Sequence, residues 1–315
     1  VFVINPMNNS IIDKIQVGPH WAYPSAIIYD PSNGYLYVAD SGSNTISVIN
    51  PANNTVIANI TVGTYPADIA YVPSNGYIYV TNWQSGTVSV IDPSNNTVIT
   101  TIPVGAFPTG IAYDPSNGYL YVVNSGFNSI SVINPATNRV INTILFGTSP
   151  VGIAYVPSNG YIYVTDYGSN IVFVINPMNN SIIDKIQVGP HWAYPSAIIY
   201  DPSNGYLYVA DSGSNTISVI NPANNTVIAT IPVNRGPWDI IYNPSNGYLY
   251  VARYYSNIIS VIDPRNNTVI ANITVGLVPP AFYLNTISWS TNPISWPMGI
   301  AYDPSNGYLY VTYYW

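Results

Sequence analysis

The chain has 315 residues, of which 48% are hydrophobic and only 6% charged; thirteen acidic against six basic side chains give a formal net charge of −7. That apolar content supports a sizeable core and excludes a disordered chain, which would lack the Val, Ile and Tyr found throughout. So few cations leave no basic footprint for nucleic acid.

In chain order, the sequence opens in mid-repeat. Residues 1–5 and 11–17 read as two strands separated by an Asn-rich turn. The chain has no Met start, signal peptide or apolar run of membrane-spanning length, so it reads as a mature or trimmed segment. From there a unit of about 42 residues takes over. In one such unit the predicted strands are 67–71, 76–81, 87–91 and 98–104, rich in Val, Ile and Tyr and bounded by Pro, Asn, Ser and Gly. Asn75-Gly76 is a tight-turn signal because both residues tolerate positive φ. No stretch carries a sustained helical period.

Two markers count the units. Pro-Ser-Asn-Gly begins at Pro31, Pro73, Pro115, Pro157, Pro202, Pro244 and Pro304. Ile-Asn/Asp-Pro ends at Pro6, Pro51, Pro93, Pro135, Pro177, Pro222 and Pro264. Seven of each, with four strands per unit, predict an all-β, seven-bladed β-propeller of four-stranded antiparallel blades. The blades fall at approximately 23–62, 66–104, 108–146, 150–188, 194–233 and 237–275. The seventh joins 297–315 to 1–17, a blade shared between the two termini that removes free sheet edges at the closure. Residues 1–58 are identical to 172–229, which implies duplication of a multi-blade unit.

The second strand of each unit carries Tyr79-Val80-Thr81-Asn82 or a variant, such as Tyr37-Val38-Ala39-Asp40, Tyr121-Val122-Val123-Asn124 or Tyr163-Val164-Thr165-Asp166. With the Pro-Ser-Asn-Gly turns, this resembles the YVTN β-propeller repeats of archaeal surface-layer-type proteins. The resemblance spans essentially the whole chain. It implies a seven-bladed propeller on an extracellular or cell-surface protein, with no defined ligand or catalytic set.

A propeller places its loops on two faces. One face carries the Pro-Ser-Asn-Gly and Asn-Asn-Thr turns. Glycosylation sequons begin there at Asn8, Asn53, Asn95, Asn179, Asn224 and Asn266, and two more begin in fourth strands at Asn59 and Asn272. The other face is aromatic. Its candidate ligand- or partner-binding residues are Trp21, Trp83, Trp192, Trp238, Tyr254 and Tyr255, joined by Phe282, Trp289 and Trp296 from the one large insertion, 277–296. Aromatic faces suit sugars and apolar groups, although the same rings could simply pack the loops together.

His20 and His191 stand in equivalent Gly-Pro-His-Trp-Ala-Tyr loops, several blades apart, and read as loop-packing residues. Asp40, Asp166 and Asp211 close second strands on the aromatic side. Asn82, Asn124, Arg253 and Tyr313 at the equivalent places break any ring of hard-cation ligands. With no Cys, paired-carboxylate site, Ser/His/Asp grouping or phosphate loop, the sequence predicts no metal, no cofactor and no enzyme. It predicts a glycosylated surface recognition or adhesion protein for a glycan or protein partner. The alternative is a structural subunit of a surface layer or extracellular filament. Having few carboxylates, the chain is also expected to depend weakly on pH.

Overall fold

The computed structural model describes residues 1–145, 147–276 and 296–314. Within them, 28 strands form seven four-stranded antiparallel sheets, and no helix occurs. Each sheet is one blade of a seven-bladed β-propeller. Blades one to six cover 24–61, 66–103, 108–145, 150–187, 195–232 and 237–274. The seventh combines 296–314 with 2–14: its second strand, Tyr308–Tyr314, pairs with Phe2–Asn5, Phe2 lying opposite Val311 and Ile4 opposite Leu309. The two ends of the chain therefore close the ring through one sheet.

Each blade begins with a hairpin whose turn chemistry is local. In the first blade, the Asp30 carboxylate accepts the Ser32 backbone N–H (2.8 Å) and hydroxyl (2.7 Å), and the Gly34 N–H closes on the Asp30 carbonyl (2.9 Å). Gly34 has φ +77°, a conformation that costs a residue without Cβ nothing. The two middle strands are the most buried; the outermost strand is the most exposed and leaves Ile side chains such as Ile57, Ile99 and Ile228 exposed. The core is seven apolar clusters, each formed where one blade packs on the next.

The recurring tetrapeptide of the second strand acquires a physical meaning here, one job per residue. Tyr79 is fully buried, accepts from Asn75 of its own hairpin (3.0 Å) and donates to Asn138 of the next blade (2.7 Å). Tyr37, Tyr163 and Tyr310 reach Asn96, Asn225 and Asn54 of their next blades in the same way. Val80 fills the core. The Thr81 hydroxyl donates to the Thr109 carbonyl in the next inner strand (2.8 Å), and Thr165 does the same to Ser196 (2.6 Å). Where Ala39 and Ala210 replace that Thr, Ser25 and Ser196 of the inner strand supply the hydroxyl instead, reaching the Ala67 and Trp238 carbonyls. Asn82 donates to Ser89 of the third strand (2.9 Å), at the opposite end from the Tyr.

Candidate aromatic loop face

Among the described residues, the loop entering each of blades one to six is tied to the loop between that blade's second and third strands. Trp83 donates its N–H to the Tyr65 carbonyl (2.8 Å), Ser212 to Tyr194 (3.1 Å) and Tyr254 to Gly236 (2.7 Å). These loops form one face of the ring; the Tyr-anchored turns and the six turn sequons form the other, while the strand sequons Asn59 and Asn272 lie opposite Ser47 and Ser260 within their blades. All eight sequon Asn are exposed. In the turns the sequon hydroxyl folds back on the Asn side-chain amide oxygen, as Thr97 does on Asn95 Oδ1 (2.6 Å). The strand Asn59 and Asn272 instead accept from the buried Ser47 and Ser260.

On the loop face, Tyr23, Tyr65, Phe107 and Tyr194 immediately precede the first Pro of their blades and have φ between +48° and +61°. Bulky residues in that region carry strain of roughly 1–3 kcal/mol. Gly236 occupies the equivalent place in blade six, so the loop itself accepts a glycine there. Two of the strained aromatics are held from the preceding blade: Asn44 and Asn170 accept the N–H of Tyr65 (2.8 Å) and Tyr194 (3.0 Å).

Among the described residues, the loop rings gather into three clusters across blade boundaries. Trp83 stacks on Phe107 at 4.6 Å and meets Tyr65 at 5.7 Å. Tyr194 stacks on Tyr167 at 4.7 Å and meets Trp192 at 6.1 Å. Tyr254 touches Trp238, Tyr255 and Trp296, with centroids 4.2–5.4 Å apart. Trp83, Trp238, Tyr254 and Trp296 are thus half-buried packing rings, while Trp21, Trp192 (70% exposed) and Tyr255 face solvent. Phe127, which the sequence did not single out among the binding residues, is 65% exposed on the same face. Phe282 and Trp289 lie outside the described residues.

Buried charge on this face follows the second-strand terminus. Asp40 and Asp211 are fully buried and accept from Ser47 and Ser218 (2.6 Å each). Burial pushes both carboxyls up to about 7, against the partial relief of those hydrogen bonds. Asp166 is differently employed: it accepts the Thr148 and Ser149 N–H groups and so fastens the entering loop. The three bond within their own surroundings rather than with one another. His20 and His191 are exposed. Among the described residues, no three His or Asp side chains group as a metal site.

Three charged residues escaped the sequence reading. Asp68 and Asp239 occupy the third place of their inner strands, where the other blades have Ala26, Gly110, Gly152, Ala197 and Gly299. Each carboxylate bridges two inner strands: Asp68 accepts from Ile69 and Ile111, Asp239 from Ile240 and Ile300 (2.8–3.0 Å). Burial pushes Asp68 up to about 6 and Asp239 to about 7, the latter aided by the charge of Asp68. The third is Arg253, which appeared in the sequence only as a break in the Asp/Asn series. Its side chain is buried beside Arg235. An odd residue at an otherwise uniform repeat position was the available signal in all three cases.

The fold and its two chemically different faces define a repeat-built propeller with an aromatic loop face. Residues 8–151 match a family described as "Repeat of unknown function (DUF6923)". No curated protein matches the sequence. Among solved structures, the chain is similar to hydrazine synthase of Kuenenia stuttgartiensis, with TM-score 0.76 and 18% identity over 96% of this chain and 99% of that one. It is similar to a streptogramin B lyase, with TM-score 0.77 and 16% identity over 95% and 97%. It is also similar to a catalytically inactive virginiamycin B lyase from Staphylococcus aureus with quinupristin, with TM-score 0.78 and 16% identity over 95% of each chain. At such identities the likeness shows the fold alone. It nonetheless corrects the expectation that this chain is not an enzyme. A lyase is built on the same propeller, and the lack of a familiar catalytic motif in the sequence does not exclude chemistry assembled from loops of different blades.

Proposed function

We propose that this propeller is an extracellular, glycosylated recognition protein of a cell surface, of the kind the YVTN-like repeats imply, and that it binds a glycan through its aromatic loop face. The observation that carries this reading is the set of aromatic residues at strained, repeat-equivalent loop positions, with Trp192 and Tyr255 turned outward beside stacked neighbours. A pre-ordered exposed ring offers a stacking surface at low entropic cost. The opposite face carries the exposed sequon turns, so sugar chains there would leave the loop face clear. The virginiamycin B lyase structure contains quinupristin, which supports the capacity of this fold to hold an organic ligand. Glycan-array binding followed by calorimetry tests the proposal. Trp192→Ala with Tyr255→Ala should weaken binding of the best glycan by at least about tenfold, the loss of two stacking contacts at roughly 1 kcal/mol each. Unchanged affinity in the folded double variant would remove the loop face from consideration.

A second reading, a subunit of a surface coat or filament, is favoured by one observation. The outer strand of each blade presents an unpaired edge with an exposed Ile. Ligand-free assembly of the purified protein at high concentration, seen by electron microscopy, would favour this reading over the first.

A further inference from the structure

Six of the 315 residues are Lys or Arg, and most have evident partners or plain solvent. Lys14 and Lys185 lie over aromatic rings, Arg265 pairs with Asp263 at 2.7 Å, and Arg139 is exposed on the sequon-bearing face. The remaining two, Arg235 and Arg253, stand together on the loop face.

Arg253 closes the second strand of blade six, the place held elsewhere by Asp40, Asn82, Asn124, Asp166, Asp211 and Tyr313. It keeps the usual link to the third strand, donating to Ser260 (3.3 Å), and donates also to Asn272 and to the Arg235 carbonyl (3.3 and 3.4 Å). All three acceptors are neutral, and the distances are long for a guanidinium, whose charge-assisted bonds run about 2.7–2.9 Å. The residue is only 4% exposed. Among the described residues, neither arginine forms an ion pair, and the Arg235 guanidinium makes no hydrogen bond.

A buried cation without a counter-charge is costly, and a second cation beside it adds to the cost. Burial and the neighbouring Arg235 both hold Arg253 below its ordinary range. The sequence nearby offers no relief: residues 277–295, which follow this blade, contain no Asp or Glu. Arg235 and Arg253 both line a pocket of about 690 Å³, together with Asn215, Asn234, Tyr255 and Ser256. That volume falls within the roughly 300–1,000 Å³ typical of small-ligand sites. Tyr255, exposed and packed edge-on against Tyr254, brings a ring to the same rim.

We propose that Arg235 and Arg253 bind the carboxylate or sulfate group of a ligand in this pocket, with Tyr255 beside its apolar face. This rests on the glycan-binding reading, which it sharpens: the glycan is an acidic one, carrying uronic acid or sulfate. The planar fork of Arg suits such oxyanions, and in a chain of net charge −7 a paired-cation pocket selects against neutral sugars.

The test is calorimetric titration of the intact protein with three probes: sodium sulfate, tetragalacturonate and a neutral galactose tetrasaccharide. The wild type should bind tetragalacturonate at least about tenfold more tightly than the neutral sugar, with affinity falling as salt rises. Arg235→Gln, at an exposed side chain, should lower that affinity about tenfold without changing thermal stability. Arg253→Asn, with the residue blades two and three use there, should abolish binding of both sulfate and tetragalacturonate. Arginine-dependent sulfate binding with no response to either sugar would uphold the anion pocket and sink the glycan reading. Equal affinity for both tetrasaccharides, or sulfate and tetragalacturonate binding indifferent to both substitutions, would overturn the pocket.

Discussion

Acid should stabilise this protein, and Asp211→Asn isolates one cause. Asp211 is fully buried, and its carboxyl is pushed up to about 7 from 3.8, burial outweighing the hydrogen bonds from Ser218 and Thr216. Its folded-state pKa exceeds the unfolded one. The folded state therefore holds an extra proton between about pH 4 and 7, and stability grows on acidification across that window. About three units at ~1.4 kcal/mol each set a ceiling near 4 kcal/mol for this residue. Asp40, Asp68 and Asp239 act in the same direction. Asp263, held low by Arg265, opposes them from a site near the surface. Asn is already accommodated at the equivalent place, where Asn82 and Asn124 donate to Ser89 and Ser131 (2.9 and 3.0 Å). Urea unfolding between about pH 4 and 8 should show wild-type stability rising as pH falls, with a shallower rise in Asp211→Asn. A wild type that loses stability on acidification through this window, or a variant with the wild-type slope, would be incompatible with an Asp211 that takes up a proton in the fold.

Alkali should act oppositely. Burial pushes Tyr37, Tyr79, Tyr121, Tyr163, Tyr208 and Tyr310 up to about 12. Their hydroxyls stay protonated in the fold after unfolded-chain tyrosines have ionised, so stability falls from about pH 10 to 12. Even about 1 kcal/mol per ring would remove ~6 kcal/mol, enough for a cooperative alkaline transition visible by circular dichroism; a flat signal to pH 12 would contradict it. Tyr79→Phe removes the donor to Asn138 and strands buried polar groups, so it should cost about 1–3 kcal/mol in denaturant unfolding. Gly63→Ala would place a methyl 2.6 Å from the Asn82 amide and should cost about 1–3 kcal/mol, whereas Gly76→Ala meets no atom and loses only what its φ of +73° imposes.

The blade count was legible because hairpin turns are local chemistry: Pro-Ser-Asn-Gly specifies its own hydrogen bonds within five residues. Closure was legible too, since the strands at the two ends complete one another. The weak pH dependence expected from few carboxylates missed that desolvation holds four of them, Asp40, Asp68, Asp211 and Asp239, above their ordinary range, which gives the dependence a direction. The tetrapeptide announced strands, but its Tyr and Thr were unreadable as clasps, because their partners sit one blade away: Asn138 for Tyr79 and Thr109 for Thr81. Asp68 and Asp239 were hidden for the same reason, each bridging to a residue in the next blade. Aromatic loops were visible as a group, but not which rings would stack and which would face solvent. Arg253 read as an exception in a series of Asp and Asn; only burial beside Arg235 makes it a feature.

The most direct test of the loop face as a binding surface is a crystal structure of the intact protein with tetragalacturonate. A sugar carboxylate should lie within about 3 Å of the Arg235 and Arg253 guanidinium groups, with a pyranose face against Tyr255. Ligand density on the sequon-bearing face, or density on the loop face away from both arginines, would contradict that placement.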